Sequence, residues 1–428
     1  MHPDRSFTVS CLVLVVLAAL SGQAFAKTLI VGTCPGGTYT TIQSAVTAAG
    51  PGSIVQVCPG NYPEQVTITR KITLEGISSG LQDAAVILPP AGGLVVNAYD
   101  FDNAGFPDAA QILVEGPFVT GVSISNLTVD ATGNQIGGCT PNFIGILFQN
   151  ASGTLDHVAV RNQVPNGTPN GCQSGLGIYV QTAAGYSSTL TVENSSVHNY
   201  NKNGITGNDP NTTLNATANY VQGSGPVPGV AGQNGIQLGF GATGKISSNT
   251  VIDNNYTNPS VAAACDILLY DTAEYSHIAI SDNMVGNAQI PIALVTYADD
   301  GGNLGDGVSV TGNHAYGTSV YDAIDVCTNG NTVTGNTIFN SADSAVHLDD
   351  SCGVYFGGNT GEGNTATGNT ILESGCAGIL DDWSGTGDNT YGVGTQYTVP
   401  FTIAYDSASC VLPGAGPVHA RGKVSPKK

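Results

Sequence analysis

The chain has 428 residues, a formal net charge of −20, 41% hydrophobic and only 10% charged side chains, and 58 glycines. Acidic groups so outnumber the 11 Lys and Arg that a surface built for nucleic acid is excluded. A polyanionic glycan is excluded too, unless a divalent cation bridges it to the protein. Enough apolar content remains to fill a core, so the glycine marks turns in a folded chain and not disorder.

Residues 1–26 read as a secretory leader, with Arg5, the apolar run CLVLVVLAAL and a small-residue exit at Ala24-Phe25-Ala26, cut before Lys27. Its removal takes Asp4 and Arg5 together and leaves the net charge unchanged. Cys11 lies inside the apolar run without lipobox spacing. No later run approaches the roughly 18 apolar residues of a membrane span. The mature protein is therefore expected to be soluble, monomeric and outside the cytoplasm, whether secreted, periplasmic or at the cell surface.

Next in the chain, Tyr39, Ile42, Ala45, Val46 and Ala49 recur at helical spacing. A short helix there would close the open end of the first coil and shield its strand from edge pairing. IVQV from Ile54, QVTI from Gln65 and KITL from Lys71 then read as the first strands, so residues 27–80 form the cap and first coils. Residues 83–118 break the rhythm and read as a long loop or irregular early coil. Shorter excursions fall at 134–142, 164–175, 223–233 and 298–306. Excursions from a solenoid are where clefts are built.

Beyond that point one grammar repeats. An apolar-polar alternation runs into an Asn, a short apolar strand follows, and a turn leads to a third strand of the form small-apolar-x-apolar. The Asn slot reads Asn126, His157, Asn194, Asn219, Asn249, Asn283, Asn313, Asn336 and Asn369. The third-strand slot begins at Gly145, Gly177, Gly204, Gly235, Asp266, Pro291, Ala323, Ala345 and Ala377. A repeat of about 20–35 residues with three short strands specifies a right-handed parallel β-helix, an all-β solenoid. Stacked at about 4.8 Å, the Asn side chains would bond to one another and to the backbone, with His157 a satisfied core residue among them. The β-helix is expected as one domain over 27–410. The basic, Pro/Gly-rich residues 411–428 are expected to be a disordered tail.

With the leader removed nine cysteines remain, which in an exported chain reads as disulfides plus one unpaired thiol. Position within the coils suggests Cys34–Cys58, Cys139–Cys172, Cys327–Cys352 and Cys376–Cys410, leaving Cys265. No CxxC metal spacing occurs.

The run TIQSAV from Thr41, continued by GSIVQV and PGNYPEQVTI, resembles the opening of pectin methylesterases and of the broader pectin-lyase-like β-helix proteins. The rung grammar extends that resemblance over most of the mature chain. It implies a polysaccharide substrate, but the superfamily includes lyases, hydrolases, esterases, epimerases and inert adhesins. The Gln-rich and DFxFG-type motifs of the methylesterases do not occur. The lyases of this fold remove a proton with Arg or Lys, whereas mature Arg is limited to Arg70, Arg161 and Arg421. Against the NTD, DD, GHG and RIK series of polygalacturonases, Asp322 falls where NTD has its Asp and Asp343 where DD begins. Ser344 replaces the second Asp, Gly375-Cys376-Ala377 replaces GHG, and RIK is absent.

The sharpest constellation lies on the late coils. Aligned third strands put Cys327, Asp349 and Asp381 in one slot, Asp350 and Asp382 in the next with Trp383 beside them, and Asp325 in the slot of His347. Strand alternation points His347 outward if Val346 and Leu348 point in. Stacked carboxylates require a raised pKa or a bound cation, with Asp350 and Asp382 the residues for a Ca²⁺. Glycoside hydrolysis uses such pairs, here Asp349 with Asp381, assisted by His347 and Asp325. Trp383 would stack on a sugar ring, with Asp322 and Asp343 in the substrate cleft. Asp266, Asp271, Asp299 and Asp300 on earlier coils read as solvated turn residues. Hydrolysis of a neutral or weakly charged glycan is the leading expectation. A non-catalytic glycan-binding or adhesin-like protein is the alternative, and calcium-dependent elimination or epimerisation the third. For each Asp alone, ordinary turn chemistry is the simpler account.

Overall fold

A computed structural model describes residues 26–78, 82–101, 105–167, 171–225, 232–255, 262–272, 277–295, 307–318, 320–349, 361–381, 389–392, 394–405 and 423–424. The proposed leader up to residue 25, and Asp299, Asp300, Asp350, Asp382 and Trp383, lie outside these. Among the described residues no helix is long and apolar enough to cross a membrane.

Third strands stack in parallel, coil on coil. Leu176–Gln181 pairs with Asn203–Asn208, and the series continues through Asn234–Gly239, Cys265–Tyr270, Ile290–Val295, Ile324–Val326, Val346–Leu348 and Ala377–Asp381. The pairing places Ile178, Ile205, Ile236, Ile267, Ile292, Ile324, Val346 and Ile379 in one column inside a single continuous core. β-branched side chains suit this arrangement, because each packs against its copies above and below on a pleated surface. The fold is thus an all-β parallel solenoid. At its start the helix Ile42–Ala48 buries Ile42, Ala45 and Val46 in the same core. Thr41 caps it by accepting from the Ser44 amide, and the Glu64 carboxylate accepts the Ile42 and Gln43 amides at 2.8 Å each.

The Asn ladder is real from Asn219 onward. Each Nδ2 donates to the next Oδ1 at 2.9–3.0 Å through Asn249, Asn283, Asn313, Asn336 and Asn369. Each backbone amide donates to that same oxygen. The three earlier slots are corrected by one residue. Asn126, His157 and Asn194 have φ of 54°, 54° and 50° and sit one position before the ladder. In register with Asn219 are Ser195, Val158 and Leu127. His157 is therefore no core residue, its side chain 49% exposed and bonded to Asp156 at 2.7 Å.

The early region is more regular than its sequence suggests. Ala85–Leu88 and the start of Pro107–Asp130 fall inside the expected irregular stretch, and both pair in the main sheet. In the tail, Lys423–Val424 pairs in parallel with Ala262–Ala263, so it is not structureless throughout. The Cys34–Cys58 and Cys139–Cys172 disulfides are formed, and Cys265 is buried and free. Cys327 and Cys376 are also disulfide-bonded, and their expected partners Cys352 and Cys410 lie outside the described residues. Disulfides of this kind fit an oxidising, extracellular setting.

One buried carboxyl departs from the turn role expected of it. Asp266 follows Gly235 in the third-strand row and is fully buried, its Oδ1 accepting from Asn254 Nδ2 at 2.9 Å. The same Asn254 accepts from the buried Tyr200 hydroxyl. Burial holds the Asp266 carboxyl well above the usual carboxylate range, against the lowering effect of its hydrogen bonds from Asn254 and Gly286. A carboxyl raised on folding favours the native state most below its unfolded pKa, and that contribution is lost as pH rises through the folded value. Unfolding free energy should then fall from pH 4 upward by as much as about 1.4 kcal/mol per pH unit. Asp266→Asn should remove that part of the slope, which urea titrations at pH 4, 6 and 8 will read; an unchanged slope refutes the assignment.

Candidate active site on the late coils

The outward face of the third-strand sheet carries the candidate chemistry. On Ile324–Val326 and Val346–Leu348, Asp325 and His347 are direct cross-strand partners. Their neighbours Ile324, Val326, Val346 and Leu348 belong to the core, so strand alternation sends Asp325 and His347 outward. The row continues to Ala293 on one side and Leu380 on the other, which confines the polar cluster between apolar neighbours.

Asp322 organises this cluster. Its Oδ1 accepts the Ser344 amide at 3.0 Å, and its Oδ2 lies 3.1 Å from His347 Nδ1. With Asp322 ionised, Nδ1 carries the hydrogen and Nε2 is left to exchange a proton. That Nε2 lies 3.9 Å from Asp349 Oδ1. Oxygens of Asp325 and Asp349 fall within 4.8 Å of one another. Asp322, Asp325, His347 and Asp349 are each at most 2% exposed. Three carboxylates and one imidazole so enclosed hold together by sharing a proton or by taking a cation.

Two ligand sets can be tested. Asp322, Asp325 and His347 offer atoms within 4.8 Å of each other, and so do Asp325, Cys327 and Asp349. Cys327 is disulfide-bonded, so its sulfur supplies no thiolate and the second set reduces to two carboxylates. The first set mixes imidazole with carboxylates, a donor set for a transition ion more than for Ca²⁺, which takes six to eight oxygens.

The other expected site residues fall as follows. Asp381 is corrected. The last third strand is shifted by one, so Ile379 pairs with Val346 and Asp381 with the core residue Leu348, not with Asp349. Alternation turns it away from the His347 face, and its Oδ1 accepts from Asn389 at 3.0 Å. Asp343 is only partly buried, with Oδ1 3.4 Å from the Ser344 hydroxyl. Asp322, expected in the cleft, is instead the carboxylate that faces His347. The sequence reading missed this pairing, and also a second amide ladder in which Asn331 donates to Asn364 Oδ1 at 3.0 Å. Its signal was the Asn-Thr pair opening the strands Thr332–Thr334, Thr365–Thr367 and Thr390–Tyr391.

No family model and no curated protein matches this chain. Among solved structures it is similar to DFA-IIIase from Arthrobacter chlorophenolicus A6 without its lid. The two share 13% identity over 85% of this chain and 98% of that one, with a TM-score of 0.50. It is also similar to the Dettilon tailspike protein, at 15% identity, 88% and 68% coverage and a TM-score of 0.53. The chain has the pectin-lyase-like right-handed β-helix fold. A mannuronan C-5 epimerase A-module from Azotobacter vinelandii gives 15% identity over 87% and 94% of the two chains, with a TM-score of 0.47. At these identities the likeness is one of fold. In this β-helix the cluster occupies the outer face of one sheet near the C-terminal end of the stack.

Proposed function

We propose that this protein is an exported β-helix enzyme that hydrolyses glycosidic bonds in a neutral or weakly charged polysaccharide. The observation that carries the reading is the pair Asp325 and Asp349, with oxygens within 4.8 Å and an imidazole beside them fixed by Asp322. Retaining glycosidases separate their two carboxyl groups by about 5–5.5 Å. In this arrangement one of Asp325 and Asp349 is the acid and the other the nucleophile. His347 exchanges a proton with Asp349, and Trp383 stacks on the sugar. The DFA-IIIase that this chain resembles over nearly its whole length is an enzyme by name, which supports a catalytic role for the fold. The leader over 1–26 is proposed to deliver the protein outside the cytoplasm.

A panel of neutral and acidic polysaccharides tests this, with new reducing ends read beside absorbance from unsaturated products. Hydrolysis gives reducing ends alone; unsaturated products would move the protein to the eliminating class. Because carboxylates perform the chemistry, the rate is expected to survive EDTA within about twofold. Loss of the rate in EDTA would assign the Asp322, Asp325 and His347 set to a metal.

One observation favours a second reading. The four groups are each at most 2% exposed, a burial that strengthens every contact among them and suits a structural clamp. A protein that binds glycans elsewhere and uses the cluster to knit its late coils would show binding on the panel and no products.

A further inference from the structure

We infer that a second glycan-binding subsite lies at the corner after the third strands of the early coils, built around Phe118 and Tyr186. The inference deepens the glycan reading above and does not depend on the carboxylate cluster. Pro117, Phe118, Gly185, Tyr186, Ser187 and Asn211 line one open cleft of about 520 Å³. Phe118 is 91% exposed and Tyr186 is 44% exposed. A phenylalanine so exposed contributes nothing to the core, and its ring shares one cleft with that of Tyr186.

The backbone is shaped to present them. Between the pairs Glu115–Gln149 and Val119–Ala151, the strand Pro107–Asp130 carries two more residues than its partner, and Phe118 sits in that bulge. Gly116 permits it with φ 128°, where a Cβ would stand 2.9 Å from Val119 Cγ2. Tyr186 ends a turn closed by its own amide donating to the Ala183 carbonyl at 3.1 Å. The coil between the two turns with Asn150 and Ala151, and Asn150 Oδ1 is occupied by the Ala183 amide at 2.8 Å. Its corner has only the tight turn, so the rings stand two coils apart, about 10 Å at the β-helix repeat.

The lining names the occupant. In a chain of net charge −20, none of these six residues is charged. Two aromatic rings that share one lining with the Tyr186 and Ser187 hydroxyls and the Asn211 amide suit an uncharged, polyhydroxylated ligand. A second copy of this chain would need some 20–30 residues a side, far more than the cleft offers. The subsite lies five to seven repeats along the axis from the Asp325 coil, about 25–35 Å, so it anchors a long polysaccharide and does not position the bond to be cut.

The test uses the mature protein, Phe118→Ala, Tyr186→Ala, the double variant and Asp349→Asn in affinity electrophoresis. The gels contain inulin, pullulan, galactomannan or hydroxyethylcellulose. The wild type and Asp349→Asn should be retarded alike by at least one of these. Each single aromatic variant should lose about threefold to tenfold in affinity, and the double variant more. Light scattering should show the same mass for all five proteins. Retardation by none of the four glycans, retardation untouched in the double variant, or a change of oligomeric mass would each overturn the subsite. Absence of reducing ends with retardation intact would overturn the hydrolase reading and leave the subsite standing.

Discussion

Asn283→Ala is expected to lower the unfolding free energy by about 3–5 kcal/mol, far more than an average substitution. The side chain makes four ladder bonds. Its Nδ2 donates to the Ile246 carbonyl at 3.0 Å and to Asn313 Oδ1 at 2.9 Å. Its Oδ1 accepts the Asn249 amide at 2.9 Å and Asn249 Nδ2 at 3.0 Å. Alanine removes all four and strands the Asn249 amide in a wholly buried place, a loss of about 1–3 kcal/mol by itself. The neighbouring Asp282 is the control. It is exposed at φ 57°, a conformation glycine adopts freely, so Asp282→Gly should change stability by less than about 0.5 kcal/mol. Urea unfolding followed by circular dichroism measures both. A loss below about 1 kcal/mol for Asn283→Ala would show that the ladder decorates the turn without holding it.

That ladder also shows what the sequence can and cannot say. Repetition at a fixed period is a global signal, so the parallel solenoid and its third-strand column were legible. The exact slot was harder, because Asn is favoured both in a left-handed turn residue and in the ladder position that follows it. On the early coils Asn126 and Asn194 take the first role, while Leu127 and Ser195 take the second. From Ala218–Asn219 onward the ladder position itself is Asn, and the reading there was correct. The same one-residue ambiguity moved Asp381 off the candidate site. Small residues at Ala377 and Gly378 equally suit the start of a third strand, and only the pairing of Ile379 with Val346 decides between them. The Asp322–His347 contact joins residues 25 apart on successive coils, a distance that spacing along one strand cannot reveal.

The enclosed carboxylates lead to the second large effect. Asp325→Asn and Asp349→Asn should each reduce glycan hydrolysis by about 10³-fold, the scale set by removing a positioned acid, base or nucleophile. Asparagine keeps the size of each side chain and removes one negative charge from a set that is crowded with them, so neither variant should unfold. Relief of repulsion among Asp322, Asp325 and Asp349 should leave the melting temperature unchanged or raise it. The two measurements together discriminate. Lost activity in a fully stable protein assigns chemistry to the pair. Lost activity that tracks a lowered melting temperature would instead make the cluster a structural clamp of the late coils. His347→Gln sharpens the distinction, because a proton partner of Asp349 shifts the pH profile of the rate when removed, whereas a packing residue does not. Should Asp325→Asn and Asp349→Asn both keep wild-type rates on the active glycan, the site assignment falls while the fold stands. The search for chemistry would then move along the same outward face, where Tyr179, Thr206 and Gln237 continue the row toward the early coils.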